Sequence, residues 1–152
     1  MTQGPAPRPL SDEALSELLG AQQFGTLATT RRSGHPHLTT MLYRWDQAER
    51  ILRFSTTADR AKAAHLRQRP LAALHVQGPD AFSFAVAEGS AEVSEPSSTP
   101  GDATGRELLA MLPEEFRPAD PQAFLAEQVA ERRVVIRLRV DRLYGTALDV
   151  SG

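Results

Sequence analysis

The sequence predicts a mainly β domain, a small six-stranded and mostly antiparallel barrel with helices at its periphery. Two observations lead to this class. The chain contains six β-prone runs separated by turn residues, and it lacks the regular alternation of strands and helices that builds parallel sheets. One short helix lies between the third and fourth strands, and further helices precede the first and the last. The predicted strands are residues 24–30, 35–45, 51–55, 71–77, 81–93 and 132–148.

The chain begins with a proline-rich arm, a helix and a hairpin. Residues 1–9 carry three prolines and a glycine, so we expect a flexible arm, with residues 10–152 forming a single domain. Ser11 is a suitable N-cap for a helix whose leucines form one apolar stripe. The β-prone runs 24–30 and 35–45 flank a short polar turn, which predicts that they pair as a hairpin.

Side chains alternate between two faces along the second predicted strand. One face carries Leu38, Thr40 and Leu42. The opposite face carries His37, Thr39, Met41 and Tyr43. We expect one of these faces to pack on the core and the other to meet a ligand or a partner.

A strand, a hydroxyl-rich turn and a basic helix follow one another in residues 51–70, ILRFSTTADRAKAAHLRQRP. Thr57 is a plausible N-cap for a helix over residues 58–69, which Pro70 ends. The N–H groups of a first helical turn lack internal partners and carry partial positive charge, so they stabilise an anion. Arg60 and Lys62 add full charges, and Lys62 is the only lysine among 17 basic residues. The alternative is a surface helix whose basic residues are simply solvated.

The second half of the chain supplies three more strands and a helical cover. In the strand over residues 81–93, Gly89 predicts a bulge or a bend. Residues 95–105 have the composition of a loop, and residues 106–131 predict two short helices separated by a proline-containing stretch. The final strand, residues 132–148, alternates apolar with charged side chains, as a half-buried strand does.

Composition excludes several classes of function. The chain has no cysteine, which excludes disulfides, thiolate catalysis and cysteine-based metal sites. Its net charge of −2 argues against a nucleic-acid partner. We find no membrane-spanning run and no signal-peptide core, so we expect no membrane partner and a cytoplasmic location. His35 and His37 would share a strand face but lack a third ligand, so we expect no metal site. No serine-hydrolase, Walker or Rossmann motif is present.

A chain with a candidate phosphate site but no nucleophile, metal or acid–base pair of its own suggests that a cofactor carries the chemistry. The sequence resembles the pyridoxamine 5′-phosphate oxidase-like split β-barrel proteins of the FMN-binding type. Within them, it resembles in particular the actinobacterial F420-dependent reductases. The resemblance covers roughly residues 10–145. It rests on the segments FGTLATTRRSGHPHLTTMLYRWD, ILRFSTTADRAKAAHLRQRPLAALHV, FAVAEGSAEV and VVIRLRVDRLYG.

The resemblance implies a homodimer with flavin or deazaflavin sites in grooves at the subunit interface. By the same resemblance, the chain from the second strand contacts the cofactor ring, and the chain around the basic helix holds its phosphate. The ring residues would be His37, Leu38, Thr39, Thr40, Met41 and Leu42. The phosphate residues would be Ser55, Thr56, Thr57, Arg60, Ala61 and Lys62.

The resemblance further implies an oxidoreductase in which reduced coenzyme F420 donates a hydride to an unsaturated small-molecule substrate. The proton that follows could come from His37, Tyr43, Arg44 or solvent, and no catalytic residue is assigned. One alternative is an FMN-dependent flavin reductase or pyridoxamine-phosphate-type oxidase. Another is a carrier or sensor that binds F420 or a flavin without turning it over. The sequence does not identify the substrate.

Overall fold

The computed structural model of the protein describes Gly4 and residues 6–148. Those residues form nine strands and four α-helices, together with a 3-10 turn at Glu114–Phe116. The elements are β1 Pro7–Pro9, α1 Asp12–Ala21, β2 Phe24–Thr30, β3 Pro36–Leu42, β4 Arg44–Asp46, β5 Ile51–Thr57, α2 Ala61–Gln68, β6 Leu71–Gln77, β7 Phe84–Val93, α3 Ala103–Ala110, α4 Pro121–Ala130, β8 Arg133–Tyr144 and β9 Thr146–Leu148.

Seven strands form one antiparallel sheet in the order β3-β2-β6-β7-β8-β5-β4. The sheet curls so that β3 contacts β5, which makes an antiparallel half-barrel with peripheral helices. This confirms the predicted fold class. Each of the six predicted strands is present, although two of them are interrupted. In the described part of the chain, no helix is long and apolar enough to cross a membrane.

The interior of the half-barrel is filled by apolar side chains from the long strands and from two helices. α1 contributes Leu15 and Leu19, and α2 contributes Leu66. Burial of one such side chain stabilises the fold by about 1.5–3 kcal/mol. The strand residues of this core include Leu27, Leu52, Phe54, Leu74, Val76, Ile136 and Leu138.

The predicted strand over residues 35–45 breaks at Tyr43. The Tyr43 side chain is buried, and its hydroxyl donates a hydrogen bond of 2.6 Å to the carbonyl oxygen of Leu19 in α1. This bond ties the chain to α1 between β3 and β4. The last predicted strand breaks in a similar way at Gly145, whose carbonyl oxygen accepts a bond from the Leu10 N–H at 3.0 Å.

The segment predicted as a flexible arm includes Pro7–Pro9. These residues form β1, which pairs antiparallel with β9 at Thr146–Leu148 in a separate two-stranded sheet. A proline-rich segment lacks local strand signals, so only the distant partner strand determines its conformation. Residues 1–3 and 5 of the predicted arm, and residues 149–152 of the predicted domain, lie outside the described residues.

Gly89 lies at a bulge, as the sequence predicts. The register between β7 and β8 shifts between Glu88 and Gly89. A Cβ atom at Gly89 would overlap the carbonyl oxygen of Arg139 on β8. Glycine is therefore required here because the two backbones approach too closely for a side chain.

The hairpin of α3 and α4 covers the outer face of β5 and β8. Leu108 of α3, Leu125 of α4 and Val135 of β8 are all buried in this second apolar layer. Two arginines on the strands, Arg53 and Arg137, reach Glu107 of α3. The predicted pair of helices is confirmed, but the cover is a packed layer with charged contacts to the sheet.

Asp102 caps the start of α3. Its carboxylate accepts bonds from the backbone N–H groups of Ser98 at 2.8 Å and Gly105 at 2.8 Å, and from the Ser97 hydroxyl at 2.9 Å. Burial opposes ionisation of this carboxyl, but the hydrogen bonds outweigh it and lower the pKa of Asp102 from 3.8 to about 2.

We expect Asp102→Ala to destabilise the protein at neutral pH by about 1–2 kcal/mol, because it removes this helix cap. The folded pKa lies below the unfolded one, so the contribution is complete above pH 3.8 and disappears as the pH falls through about 2. Urea unfolding of wild type and variant over this range measures the effect. A difference in stability that does not shrink at low pH would contradict it.

Candidate functional site

Two strand edges, those of β3 and of the end of β5, are unpaired within the described residues, and we call the space between them the groove. β4 pairs only with the first three residues of β5, so in the described part of the chain Phe54 to Thr57 have no strand on that side. β3 ends the sheet and has no strand on its outer side within the same residues. The order of strands makes β3 and β5 antiparallel, so the start of β3 lies at the same end of the groove as Thr57. All twelve predicted cofactor residues belong to β3, to the end of β5 or to the start of α2.

The end of the groove at the start of α2 is cationic. Burial first, and then the positive charges of His65, Arg31 and Lys62, lower the pKa of His37 below 6.5. Burial and the neighbouring charge of Arg60 lower the pKa of Lys62. The charges of Lys62 and His65 on α2 act on His37 of β3, so the two predicted segments lie next to each other. A cluster of this kind favours binding of an anion because the anion would offset the repulsion.

Arg60 and Lys62 form no salt bridge or side-chain hydrogen bond among residues 6–148. Asp59 is the nearby acid, and its carboxylate accepts a bond of 2.6 Å from the Thr57 hydroxyl. That bond, and to a smaller extent the charge of Arg60, lowers the pKa of Asp59. Both cations therefore remain available to an external anion.

The predicted N-cap at Thr57 is wrong. Thr57 is the last residue of β5, and its hydroxyl is engaged with Asp59. α2 begins at Ala61 with Arg60 in the N-cap position, and no side chain caps it. The turn at residues 58–60 separates the strand from the helix because Thr57 continues the pairing with Arg133 of β8. The start of α2 thus keeps its first N–H groups uncapped, as an anion site requires.

Two polar atoms on the inner face of β3 are buried without a partner. They are Nδ1 of His37 and Oγ1 of Thr39, and neither forms a hydrogen bond within the described residues. The His37 ring meets the His65 ring edge-on, with 5.1 Å between centroids. His65 is itself held by Thr29, with 3.0 Å between Nδ1 and Oγ1. Buried polar atoms normally have partners, so both atoms are free to bond an added polar group.

An apolar pocket of about 390 Å³ lies between β3, β5 and the helical cover. Two predicted site residues line it, Leu42 from β3 and Ser55 from β5. The sequence analysis did not find the rest of the wall, which comes from the cover of α3 and α4. Those side chains are separated from β3 by more than sixty residues, and no local pattern marks them as a wall. They include Leu108, Met111, Leu112, Phe124 and Gln128.

The predicted division of β3 into two faces is confirmed. His37, Thr39 and Met41 are half-buried, whereas Leu38 is 63% exposed and Thr40 is exposed. Among the predicted proton donors, Tyr43 is unsuitable because its hydroxyl already donates to Leu19, and burial raises its pKa. In the described ranges, no three His, Cys, Asp or Glu side chains gather as metal ligands.

Comparison with known proteins identifies the family. The family described as pyridoxamine 5′-phosphate oxidase matches residues 11–147. The chain therefore belongs to the pyridoxamine 5′-phosphate oxidase family. This agrees with the antiparallel half-barrel.

Solved structures with the same fold span nearly the whole chain. A conserved hypothetical protein of Mycobacterium tuberculosis is similar with 24% identity and a TM-score of 0.72, over 96% of this chain and 90% of that one. A protein described as an F420 reductase has 27% identity and a TM-score of 0.61, over 84% and 94%. An FMN-binding, pyridoxamine 5′-phosphate oxidase-related protein of Nostoc punctiforme has 17% identity and a TM-score of 0.58, over 88% and 83%.

Proposed function

We propose that this protein is an oxidoreductase that uses reduced coenzyme F420 to reduce an unsaturated small molecule. The observation that carries the proposal is the start of α2, where the cations Arg60 and Lys62 have no salt-bridge partner among residues 6–148 and the helix has no side-chain cap. An apolar pocket also lies beside Leu42 of β3 and Ser55 of β5. This arrangement suits a cofactor with an anionic tail and a flat ring. The similarity to an F420 reductase supports the same assignment.

The residues present fit such a cofactor. The start of α2, with Arg60, Ala61 and Lys62, would hold the phosphate. Ser55 and Thr57 lie on the outer face of β5 beside it, whereas the Thr56 side chain is buried, so its contribution would come from its backbone. The run from His37 to Leu42 would contact the ring. The unpartnered atoms of His37 and Thr39 are suited to bond polar atoms of the cofactor.

When bound, reduced F420 supplies a hydride. The residues of this chain would bind and orient cofactor and acceptor, and the cover of α3 and α4 would keep water from the pocket. Burial, and then the charges of His65, Arg31 and Lys62, lower the pKa of His37, which favours the neutral ring, and a neutral imidazole can both donate and accept a hydrogen bond.

FMN is the alternative cofactor, since FMN also ends in a phosphate. Additional cations near the phosphate favour F420, whose glutamate tail carries further negative charge. Arg31 lies close enough to lower the pKa of His37, and Arg69 donates to the Arg31 carbonyl oxygen at 3.2 Å. These two arginines could receive the additional carboxylates of the tail.

Parallel calorimetric titrations with oxidised F420 and FMN test the proposal. We expect F420 to bind at least about 10-fold more tightly, a difference of about 1.4 kcal/mol. Preference for FMN would assign the protein to the flavin-dependent alternative. Binding without turnover of reduced F420, against a panel of quinones, unsaturated lactones and nitroaromatics, would favour a carrier or sensor.

We also propose that the protein is a homodimer with the groove at its interface. The outer face of β2, β3 and β6 exposes large apolar side chains, with Phe24 at 56%, Leu38 at 63% and Leu71 at 68%. Isolated apolar residues are common on surfaces, but a face of this kind beside an unpaired strand edge favours a protein partner. A second copy of the chain would cover both.

Leu38→Asp is expected to convert the dimer to a monomer, because it places a charge in the proposed apolar contact. Sedimentation equilibrium over a range of concentrations measures the change. Phe116→Asp is the control, since Phe116 is 51% exposed in the 3-10 turn at Glu114–Phe116, outside β2, β3 and β6. A wild-type protein that sediments as a monomer at all concentrations would contradict the proposal.

A further inference from the structure

The apolar pocket between β3, β5 and the helical cover has the size and character of a second binding site. Its volume of about 390 Å³ lies within the usual range for small-molecule sites. Its walls come from separate elements, with Leu42 on β3, Leu108 on α3 and Phe124 on α4. A flat molecule of about two fused rings would fill such a space.

The pocket has few polar groups, and they are positioned by the fold. Gln128 of α4 is buried, and its side-chain amide donates to the Phe124 carbonyl oxygen at 3.1 Å. This bond uses one of its two N–H donors, so the second and the amide oxygen remain for a ligand. Ser55 adds a hydroxyl from the strand side.

The charges around the pocket disfavour anions. Arg133 donates to Glu131 at 2.6 Å, which leaves this pair close to neutral. Glu127 also lines the pocket, and among residues 6–148 it has no ion pair. The pocket is therefore slightly negative, opposite in sign to the cationic end of the groove. An anionic ligand would be repelled here, whereas an uncharged one would not.

We infer that this pocket binds the acceptor of the proposed reaction, and that the acceptor is an uncharged, flat, largely apolar molecule of about two fused rings. The inference rests on the proposed function, because Leu42 and Ser55 belong both to the pocket and to the segments assigned to the cofactor. Leu42, the last of the predicted ring contacts, places a molecule in the pocket beside them. The cofactor and the acceptor then occupy adjoining parts of one groove.

Binding of two naphthoquinones by the purified protein, measured by calorimetry without added cofactor, tests the inference. The probes are 1,4-naphthoquinone and its 2-sulfonate, which differ by one negative charge. The chain has no cysteine, so the quinone finds no thiol to modify. We expect the sulfonate to bind at least about 10-fold more weakly. Equal affinity for the two compounds, or no binding of the uncharged quinone, would overturn the inference.

Leu112→Trp tests the position of the bound quinone, because Leu112 lines the pocket and a larger ring would fill it. We expect this variant to lose at least about 10-fold in quinone affinity. Leu109→Trp is the matched control, since Leu109 lies on α3 beside a different surface hollow with Pro118 and Pro121. Met111→Trp replaces Leu112→Trp if thermal unfolding shows that the latter does not fold. Unchanged affinity in the folded variant would overturn the inference.

Glu127→Lys tests the charge preference separately. It should bring the affinity for the sulfonate to within about threefold of that for the quinone. A sulfonate affinity that does not rise would overturn the argument from charge.

Titration of F420 into the quinone complex separates this inference from the proposed function. If F420 binds while the quinone stays bound, both stand. If F420 displaces the quinone, the pocket is part of the cofactor site and the acceptor inference fails alone. If F420 does not bind but the quinone does, the proposed function fails, and the pocket remains only as a site for uncharged rings.

Discussion

Lys62→Gln is expected to weaken the binding of F420 by about 10- to 100-fold, since a hydrogen bond to a charged group contributes about 1.5–3 kcal/mol. Lys62 is half-buried beside Arg60, and both lack a carboxylate partner within residues 6–148. A bound phosphate would supply that partner. The double variant Arg60→Gln/Lys62→Gln should abolish measurable binding. Calorimetric titration of the same F420 stock into each protein measures the loss.

Arg142→Gln is the matched control, because it makes the same change of net charge far from the groove. Arg142 is 69% exposed, and its ion pair with Glu88 is long at 3.9 Å. We expect wild-type affinity from this variant. Equal losses for Lys62→Gln and Arg142→Gln would show that only net charge matters, and the anion site at α2 would be rejected.

The stability of the unliganded protein distinguishes a binding role of Lys62 from a structural one. Lys62 forms no ion pair among the described residues, and burial, followed by the charge of Arg60, lowers its pKa, so its removal relieves both desolvation and repulsion. Unliganded Lys62→Gln should therefore unfold at or slightly above the wild-type temperature. A marked drop in that temperature would indicate that Lys62 supports the fold.

The three segments that carry the candidate site could be predicted as elements from local patterns. β3 and the end of β5 have a period of two, and α2 has the composition of a helix. The structure places the His37 ring of β3 at 5.1 Å from the His65 ring of α2, and the turn at residues 58–60 links β5 to α2. The capping role of Thr57 was predicted wrongly because its pairing with Arg133, on a strand far along the chain, extends β5 by two residues.

Contacts between distant segments could not be predicted. β1 is proline-rich and becomes a strand only through its pairing with Thr146–Leu148. The cover of α3 and α4 looks like solvated surface in sequence, since its charged residues dominate the pattern. Its packing against the sheet depends on Glu107, whose partners, Arg53 and Arg137, lie on two different strands.

Glu107→Leu is expected to destabilise the protein by about 2–3 kcal/mol. Glu107 accepts bonds from Nε of Arg53 at 2.8 Å and Nε of Arg137 at 2.7 Å, and a second guanidinium nitrogen of Arg137 also contacts it. Arg53 and Arg137 face each other across β5 and β8, so the carboxylate lies between two like charges. Among the described residues, its removal leaves them only their longer contacts, from Arg53 to Asp46 at 3.4 Å and from Arg137 to Glu92 at 3.3 Å. The side chains of Glu107, Arg53 and Arg137 are 18%, 22% and 27% exposed, which keeps the expected cost below that of a fully buried pair.

Glu92→Gln separates this effect from the loss of an ordinary surface ion pair. Glu92 also contacts Arg137, at 3.3 Å, but it is 53% exposed, so we expect a change of no more than about 0.5 kcal/mol. Urea unfolding of the two variants measures the difference. Similar stabilities would mean that the cover is held by the apolar layer of Leu108, Leu125 and Val135 alone.

The pH dependence of Glu107→Leu supplies an independent test. Burial raises the pKa of Glu107, but the bonds from Arg137 and Arg53 outweigh it, so the folded pKa lies below its usual value. The stability from this group is therefore present above the unfolded pKa and is lost as the pH falls through the folded one. The difference between wild type and Glu107→Leu should shrink as the pH is lowered from about 6 toward 3. The same variant should also bind the quinone more weakly, because α3 lines the pocket and a loosened cover would disturb it. Full quinone affinity in this variant would show that the pocket does not depend on the contact between Glu107 and the two arginines.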